Sequence, residues 1–330
     1  MEREWRVMKP YPLKCKPEFK ERVWGGRNLE QFGLELPDGP IGEGWMIGDH
    51  PNGTTAVMNG ELSGMGLDQI REQYGEIFFG RKGFSKKNGR FPLLIKLLDC
   101  QDDLSVQVHP TDDYERSPAG ELGKTEMWYI LDAKPGAKII YGLKEGVTRE
   151  DLAKAIEEDR IMDALNEVTV EAGDSFYIPA GTVHALGAGV LVAEIQQNSD
   201  STYRLYDYGR LGLDGKPREL HIEDSLNVIA YEGAGATYMK TDLKASNEWL
   251  PLARSPFFVT EKGQVQNEWK LQTTEDSFVI HIICEGEGSI RWADGELAVK
   301  PGECYLLPAN LGAYSLAGKH DGASQLFALS

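Results

Sequence analysis

The chain is expected to be mainly β, folded as two tandem jelly-roll barrels with a few short helices. Three observations predict this. Short runs rich in Val, Ile, Leu, Phe and Tyr, each ended by Gly or Pro, recur at 91–98, 104–109, 127–131, 138–141, 168–170, 175–178, 190–196, 278–284 and 304–307, the spacing of sandwich or barrel strands. One segment is repeated: Val170-Glu-Ala-Gly-Asp-Ser-Phe-Tyr-Ile-Pro-Ala180 returns as Val299-Lys-Pro-Gly-Glu-Cys-Tyr-Leu-Leu-Pro-Ala309, with Gly173 and Pro179 matching Gly302 and Pro308. Helical periodicity is confined to residues 148–165, where Thr148 and Asp151 form a capping box, and more weakly to 68–79 and 219–231.

A chain of 330 residues exceeds what one small core organises, and the repeat divides it. The join is placed in the polar stretch 242–249, giving a catalytic domain over 1–241 and a second barrel over 242–330. Counting forward from the matched prolines puts His184 opposite Ala313. An alkyl side chain cannot ligate a metal, so any metal chemistry is assigned to the first barrel. The net charge of −17 argues against nucleic acid and anionic membranes as partners. No apolar run approaches a membrane span, and the first residues hold no apolar signal core. Four scattered cysteines without a CxxC pair read as free thiols of a reducing compartment, which makes the cytoplasm the expected location.

The candidate chemistry lies between residues 96 and 210. In Leu104-Ser-Val-Gln-Val-His109, period-2 alternation puts Ser105, Gln107 and His109 on one strand face. Lys124 and Glu126 share another. Gly173-x5-Pro179-x-Gly181-x2-His184 follows and resembles the second sequence motif of cupins, including its metal-binding His. The first cupin motif is altered, because Gln107 stands where its first His is expected and Glu126 follows the loop 110–125. Two His, a Gln and a Glu from neighbouring strands suit a divalent metal with open coordination positions. Lys96 interrupts the apolar run 92–98, so its ammonium needs an anionic partner or a route to water at the barrel rim. Glu194 shares a strand face with Val190, Val192 and Gln196.

Longer stretches narrow the resemblance. Lys96-Leu-Leu-Asp-Cys-Gln-Asp-Asp-Leu-Ser-Val-Gln-Val-His-Pro110, Lys124-Thr-Glu-Met127, Ile178-Pro-Ala-Gly-Thr-Val-His-Ala185, the region from Glu194 through Asn198-Ser-Asp200 to Arg204, Val23-Trp-Gly-Gly26 and Gly42-Glu-Gly-Trp-Met-Ile-Gly-Asp-His-Pro51 are similar, in order, to type I mannose-6-phosphate isomerases of the short bacterial form. The resemblance covers most of residues 1–230. It implies one zinc ion per chain on Gln107, His109, Glu126 and His184, although these donors also accept other divalent metals. It implies Arg204, Lys124 and Glu194 as catalytic residues. Lys96, Ser105 and Arg210 are implied as substrate-binding, with Lys96 and Ser105 near the phosphate and Arg210 where long relatives carry lysine. Leu186 departs from the tyrosine of many relatives, and 203–209 is more aromatic than their pattern.

The implied reaction interconverts mannose 6-phosphate and fructose 6-phosphate through a cis-enediol or enediolate. The base is open among Glu194, Lys124, His50 and a metal-bound hydroxide. Three other readings stay open on the residues alone: isomerisation of another, even unphosphorylated, aldose; an iron oxygenase using two His and a carboxylate; and a non-catalytic sugar-binding barrel.

Overall fold

Two central strands explain the architecture. Every residue of Leu93–Cys100 and of Val190–Gln197 is buried, so both faces of the sheet they form are covered. Alternate residues serve two different cores. One set (Leu98, Val190 and Val192) faces the interior of the first barrel with Trp128, Ile130 and Phe176. The other set (Leu93, Ile95, Leu97, Leu191, Ala193 and Ile195) packs against Phe258, Phe278, Ile280, Ile282 and Leu306 of the second barrel. The two barrels are thus joined by a continuous apolar layer.

A computed structural model describes residues 8–241, 246–319 and 323–329. In the first barrel a seven-stranded antiparallel sheet runs in the order Thr237–Lys240, Asp174–Ile178, Glu126–Ala133, Val190–Gln197, Leu93–Cys100, Ile41–Ile47, Glu18–Gly26. A five-stranded sheet of Leu165–Thr169, Lys138–Leu143, His184–Leu186, Val106–Val108 and Tyr203–Tyr206 faces it. The second barrel repeats the plan around Val265, Ile283, Ile290, Tyr305, Leu307 and Leu316. Chain folding is therefore mainly β, in two jelly-roll units. The repeated segment occupies the same place in both: Gly173 (φ 95°) and Gly302 (φ 77°) make the left-handed turns that a Cβ disfavours, and the strands Asp174–Ile178 and Cys304–Leu307 follow. His184 and Ala313 each open the strand that follows next in their repeat.

The sheets do not respect the simple division of the sequence. Leu13–Lys16 pairs with Cys304–Leu307, Leu13 opposite Leu306, and Ala56–Val57 pairs with Leu13–Lys16. Two N-terminal strands thereby complete a sheet of the second barrel. Of the expected join at 242–249, residues 242–245 lie outside the described ones. The helix expected over 148–165 is shorter. Thr148 and Asp151 do form the capping box, but the helix Arg149–Glu157 stops before Asp159, whose φ is 54°, and Leu165 already begins a strand. Spacing alone carried the apolar pattern across that break. The weaker segments become Leu67–Tyr74 with Glu76–Phe79, and Ile222–Val228.

Candidate active site

Three adjacent strands of the five-stranded sheet place His184 opposite Gln107 and Gln107 opposite Arg204. These three residues form one row across the strands, so their side chains share a face. His109 follows the end of the middle strand, and Glu126 opens a strand of the other sheet. The loop 110–125 is thus what separates two ligand candidates in sequence and unites them in space. Glu126 oxygens lie 3.5 Å from His109 Nε2 and 3.3 Å from His184 Nε2, and the imidazole nitrogens are 3.2 Å apart. All three residues are buried.

The chemistry of this cluster fits a metal ion. His184 Nδ1 lies 2.9 Å from the Thr182 carbonyl, which can only accept, so Nδ1 carries the proton and Nε2 offers its lone pair inward. Burial, with Lys124 adding to it, depresses the His109 pKa to about 3, and burial also depresses that of His184. Both rings are therefore neutral, as ligands must be. Burial alone would raise Glu126, but Lys124 and the two imidazoles hold it well below the usual carboxylate range. Its two oxygens are buried without a hydrogen bond of good geometry, an arrangement that a cation would relieve. Gln107 turns its Nε2 towards His184 Nε2 at 3.2 Å; to act as a ligand, it would present the carbonyl oxygen there instead.

A second row crosses the facing sheet. Trp45 is opposite Lys96, Lys96 opposite Glu194, and Glu194 opposite Trp128. Lys96 is 4% exposed, and its Nζ lies 3.4 Å from Glu194 and 3.9 Å from Glu43. It has the anionic partners that burial requires and does not reach for the rim. Trp128 Nε1 donates to Glu194 at 2.9 Å. Burial, then the charge of Glu126, raise the Glu194 pKa despite Lys124 and Lys96. Burial would raise Glu43 too, but Lys96, Arg22 and the Trp45 N–H bring it down to about 2. Lys124 sits 3.2 Å from Glu126; burial would lower its pKa, yet Glu126, Glu194 and Asp200 raise it, so the ammonium stays charged.

These rows border a cavity of about 410 Å³. Lys96, Ser105, Gln107, Lys124, Glu194 and Arg204 line it. Arg204 donates through Nε to Ser105 Oγ at 3.1 Å and through NH1 to the Glu219 carbonyl at 2.8 Å. Burial is the chief cause that lowers its pKa, with Arg218 next. Arg210 is not among the lining residues, because Asp207 takes its guanidinium at 2.8 and 3.0 Å. His50 is also elsewhere: Nδ1 accepts the Asn52 N–H at 3.1 Å and Nε2 meets Glu121 at 3.0 Å. The sequence reading missed Arg22, Glu43, Asp200, Arg218 and His221, which also line the cavity. Glu43 lies in the stretch 42–51 and Asp200 in the stretch 194–204, whereas nothing local marks Arg218 or His221.

Fold and site define a cupin barrel with a buried metal-ready triad opening on a cationic cavity. Comparison with known proteins gives the family. Residues 12–135 match "Phosphomannose isomerase type I, catalytic domain" and residues 251–324 match "Mannose-6-phosphate isomerase, cupin domain". Mannose-6-phosphate isomerase ManA of Bacillus subtilis is 41% identical over 93% of this chain and 96% of its own length. A mannose-6-phosphate isomerase of Streptococcus mutans is 38% identical over 93% and 95%. The crystal structure of a Bacillus subtilis mannose 6-phosphate isomerase superposes with a TM-score of 0.87 at 36% identity, covering 97% of this chain and 99% of that one. A zinc-bound mannose 6-phosphate isomerase, 18% identical over 96% of this chain and 98% of its own, shares the fold with a TM-score of 0.76. The chain belongs to the type I phosphomannose isomerase family. That membership sets aside the oxygenase and non-catalytic readings.

Proposed function

We propose that this chain interconverts mannose 6-phosphate and fructose 6-phosphate using one zinc ion held by His109, Glu126, His184 and Gln107. The observation that carries this reading is the His109–Glu126–His184 triad beside a cavity where Arg22, Lys96, Lys124, Arg204 and Arg218 outnumber Glu43, Glu194 and Asp200. In a protein of net charge −17, this local excess of cations supplies the attraction that a sugar phosphate needs. Zinc as the metal is supported by the zinc-bound relative in fold and by the nitrogen and oxygen donors. The four cysteines are free, which supports a cytoplasmic enzyme.

Isomerisation removes a proton from C2, returns it to C1 and shifts a hydroxyl proton between O1 and O2. A zinc ion at the triad would supply Lewis-acid stabilisation of negative charge on the sugar oxygens. Arg204, held by Ser105 and the Glu219 carbonyl, adds a fixed charge at the developing oxyanion. Glu194 is the base of choice: it lines the cavity, its pKa is raised, and a stronger carboxylate base is better matched to a carbon acid. The Trp128 N–H and Lys96 orient it. Lys124, kept protonated by Glu126, serves as a donor to a sugar oxygen rather than as the base.

A coupled assay comparing mannose 6-phosphate with mannose tests the reading, together with metal analysis. The phosphorylated sugar is expected to be turned over faster, and His109→Ala to lose zinc and activity together. Faster turnover of free mannose, or full activity in a zinc-free variant, would refute it.

A further inference from the structure

The cavity's positive charges are not equivalent, because most are already neutralised. Arg22 is matched by Glu43 at 3.0 and 3.2 Å. Lys96 lies against Glu194 and Glu43, and Lys124 against Glu126. Arg204 differs. It bonds a hydroxyl and a carbonyl, and among the described residues no carboxylate lies within ion-pair distance of it. Beside it, Arg218 and Arg210 share one carboxylate, that of Asp207. Arg210 also reaches the exposed Asp102 at 3.9 Å, so three guanidinium groups meet one buried acid and one exposed acid, leaving an excess of about one positive charge. A phosphate monoester carries about −1.5 to −2 near neutral pH.

Local folding explains how this cluster arises. Leu211 bridges Pro217, and Gly212 N–H bonds the Lys216 carbonyl at 2.7 Å. This tight excursion brings Arg210 and Arg218 back side by side on Asp207, which is 5% exposed. Of the two, only Arg218 lines the cavity. His221 adds a donor. Its Nδ1 accepts the Arg204 N–H at 3.3 Å, so the ring proton is on Nε2, and the ring also lines the cavity.

The position suits the substrate. Arg204 is opposite Gln107 in the strand register but extends to Ser105, two residues along the strand and about 7 Å from Gln107. A hexose phosphate bound with C1 and C2 at the triad places its phosphate four carbons further on. We propose that Arg218, with His221, forms the phosphate-binding end of the cavity beyond Arg204, and that Arg218 is the residue selecting phosphorylated over free sugar. This rests on the isomerase reading. Lys96 acts in this scheme on Glu194, and Asp207 positions the guanidinium fork that recognises phosphate oxygens in pairs.

Arg218→Met is the informative variant, since Asp207 keeps Arg210 and is not left as a buried unpaired charge. Steady-state kinetics with mannose 6-phosphate, zinc content and calorimetric titration with inorganic phosphate are compared with the wild type and with Arg218→Lys. The expected result is a KM raised about 10- to 100-fold with kcat changed by less than about threefold. Zinc content should be unchanged, phosphate binding lost, and part of the KM effect recovered in Arg218→Lys. An unchanged KM, or a fall in kcat with zinc lost, overturns the proposal, as does phosphate binding that survives in Arg218→Met. Should the wild type leave mannose 6-phosphate unconverted while its phosphate binding still depends on Arg218, the isomerase reading fails and the anion site stands.

Discussion

Replacing Lys96 by methionine isolates the electrostatics of the buried row. The side chain keeps its length and apolar stem while losing its charge. At 3.4 Å from Glu194, an ammonium contributes about 5 kcal/mol of attraction at an effective dielectric constant of about 20. At 3.9 Å from Glu43 the same estimate is about 4 kcal/mol. Recovered desolvation of the ammonium offsets much of this, so a net destabilisation of about 3–5 kcal/mol is expected for a broken buried pair. Glu43 still has Arg22 and the Trp45 N–H, so the group that loses most is Glu194, left with the Trp128 N–H and the charge of Lys124. Its pKa is already raised by burial and by Glu126, and losing Lys96 raises it further. A carboxylate whose folded pKa exceeds its unfolded value binds more protons folded than unfolded, so stability falls as pH rises from the ordinary carboxylate range. Urea denaturation of wild type and variant at pH 5 and pH 8 should show a larger loss at pH 8. A loss below about 1 kcal/mol, or one identical at both pH values, would refute the claim that Lys96 compensates a buried Glu194.

Other expectations follow from single contacts. Trp128→Phe removes the 2.9 Å donor to Glu194 and should lower kcat about tenfold with zinc content unchanged; loss of zinc would mean that the indole supports His184, whose ring it meets edge-on at 5.3 Å, instead. In the metal-free protein, His109 is held at about 3, below its unfolded value. Its contribution is complete above the ordinary histidine range and is lost as pH falls towards 3, with a slope of about 1.4 kcal/mol per pH unit for one group. His109→Gln should flatten the denaturation profile by that amount; an unchanged slope refutes the assignment. A Cβ on Gly25 would meet the Gly42 nitrogen at 2.4 Å and the Ile41 carbonyl carbon at 2.5 Å, both backbone. Gly25→Ala should therefore cost about 1–3 kcal/mol, read as a lower urea midpoint, and an unshifted midpoint would show that the strands separate freely.

Sequence and structure divide the labour by range. The tandem jelly-roll plan was legible because period-2 alternation and the repeated Gly173–Pro179 and Gly302–Pro308 segments are local facts. The triad was legible for the same reason: each of its residues stands in a short pattern of its own, and His184 carries a motif around it. The helix expected over 148–165 shows the limit, since one left-handed residue, Asp159, ends a helix that apolar spacing would extend. Arg210 and Arg218 show it more sharply. Both are arginines of one glycine-rich loop, and composition cannot say which faces the cavity.

By itself, then, the sequence determined the fold class and singled out His109, Glu126 and His184, which the fold brings together, since these depend on side-chain type and on spacing within single strands. Only the tertiary structure decided that Leu13–Lys16 belongs to the second barrel's sheet, that Lys96 is compensated by Glu194 and Glu43, and that Arg218 shares its carboxylate with Arg210. Charge compensation depends on distances between strands far apart in the chain, and those distances exist only once the sheets have paired.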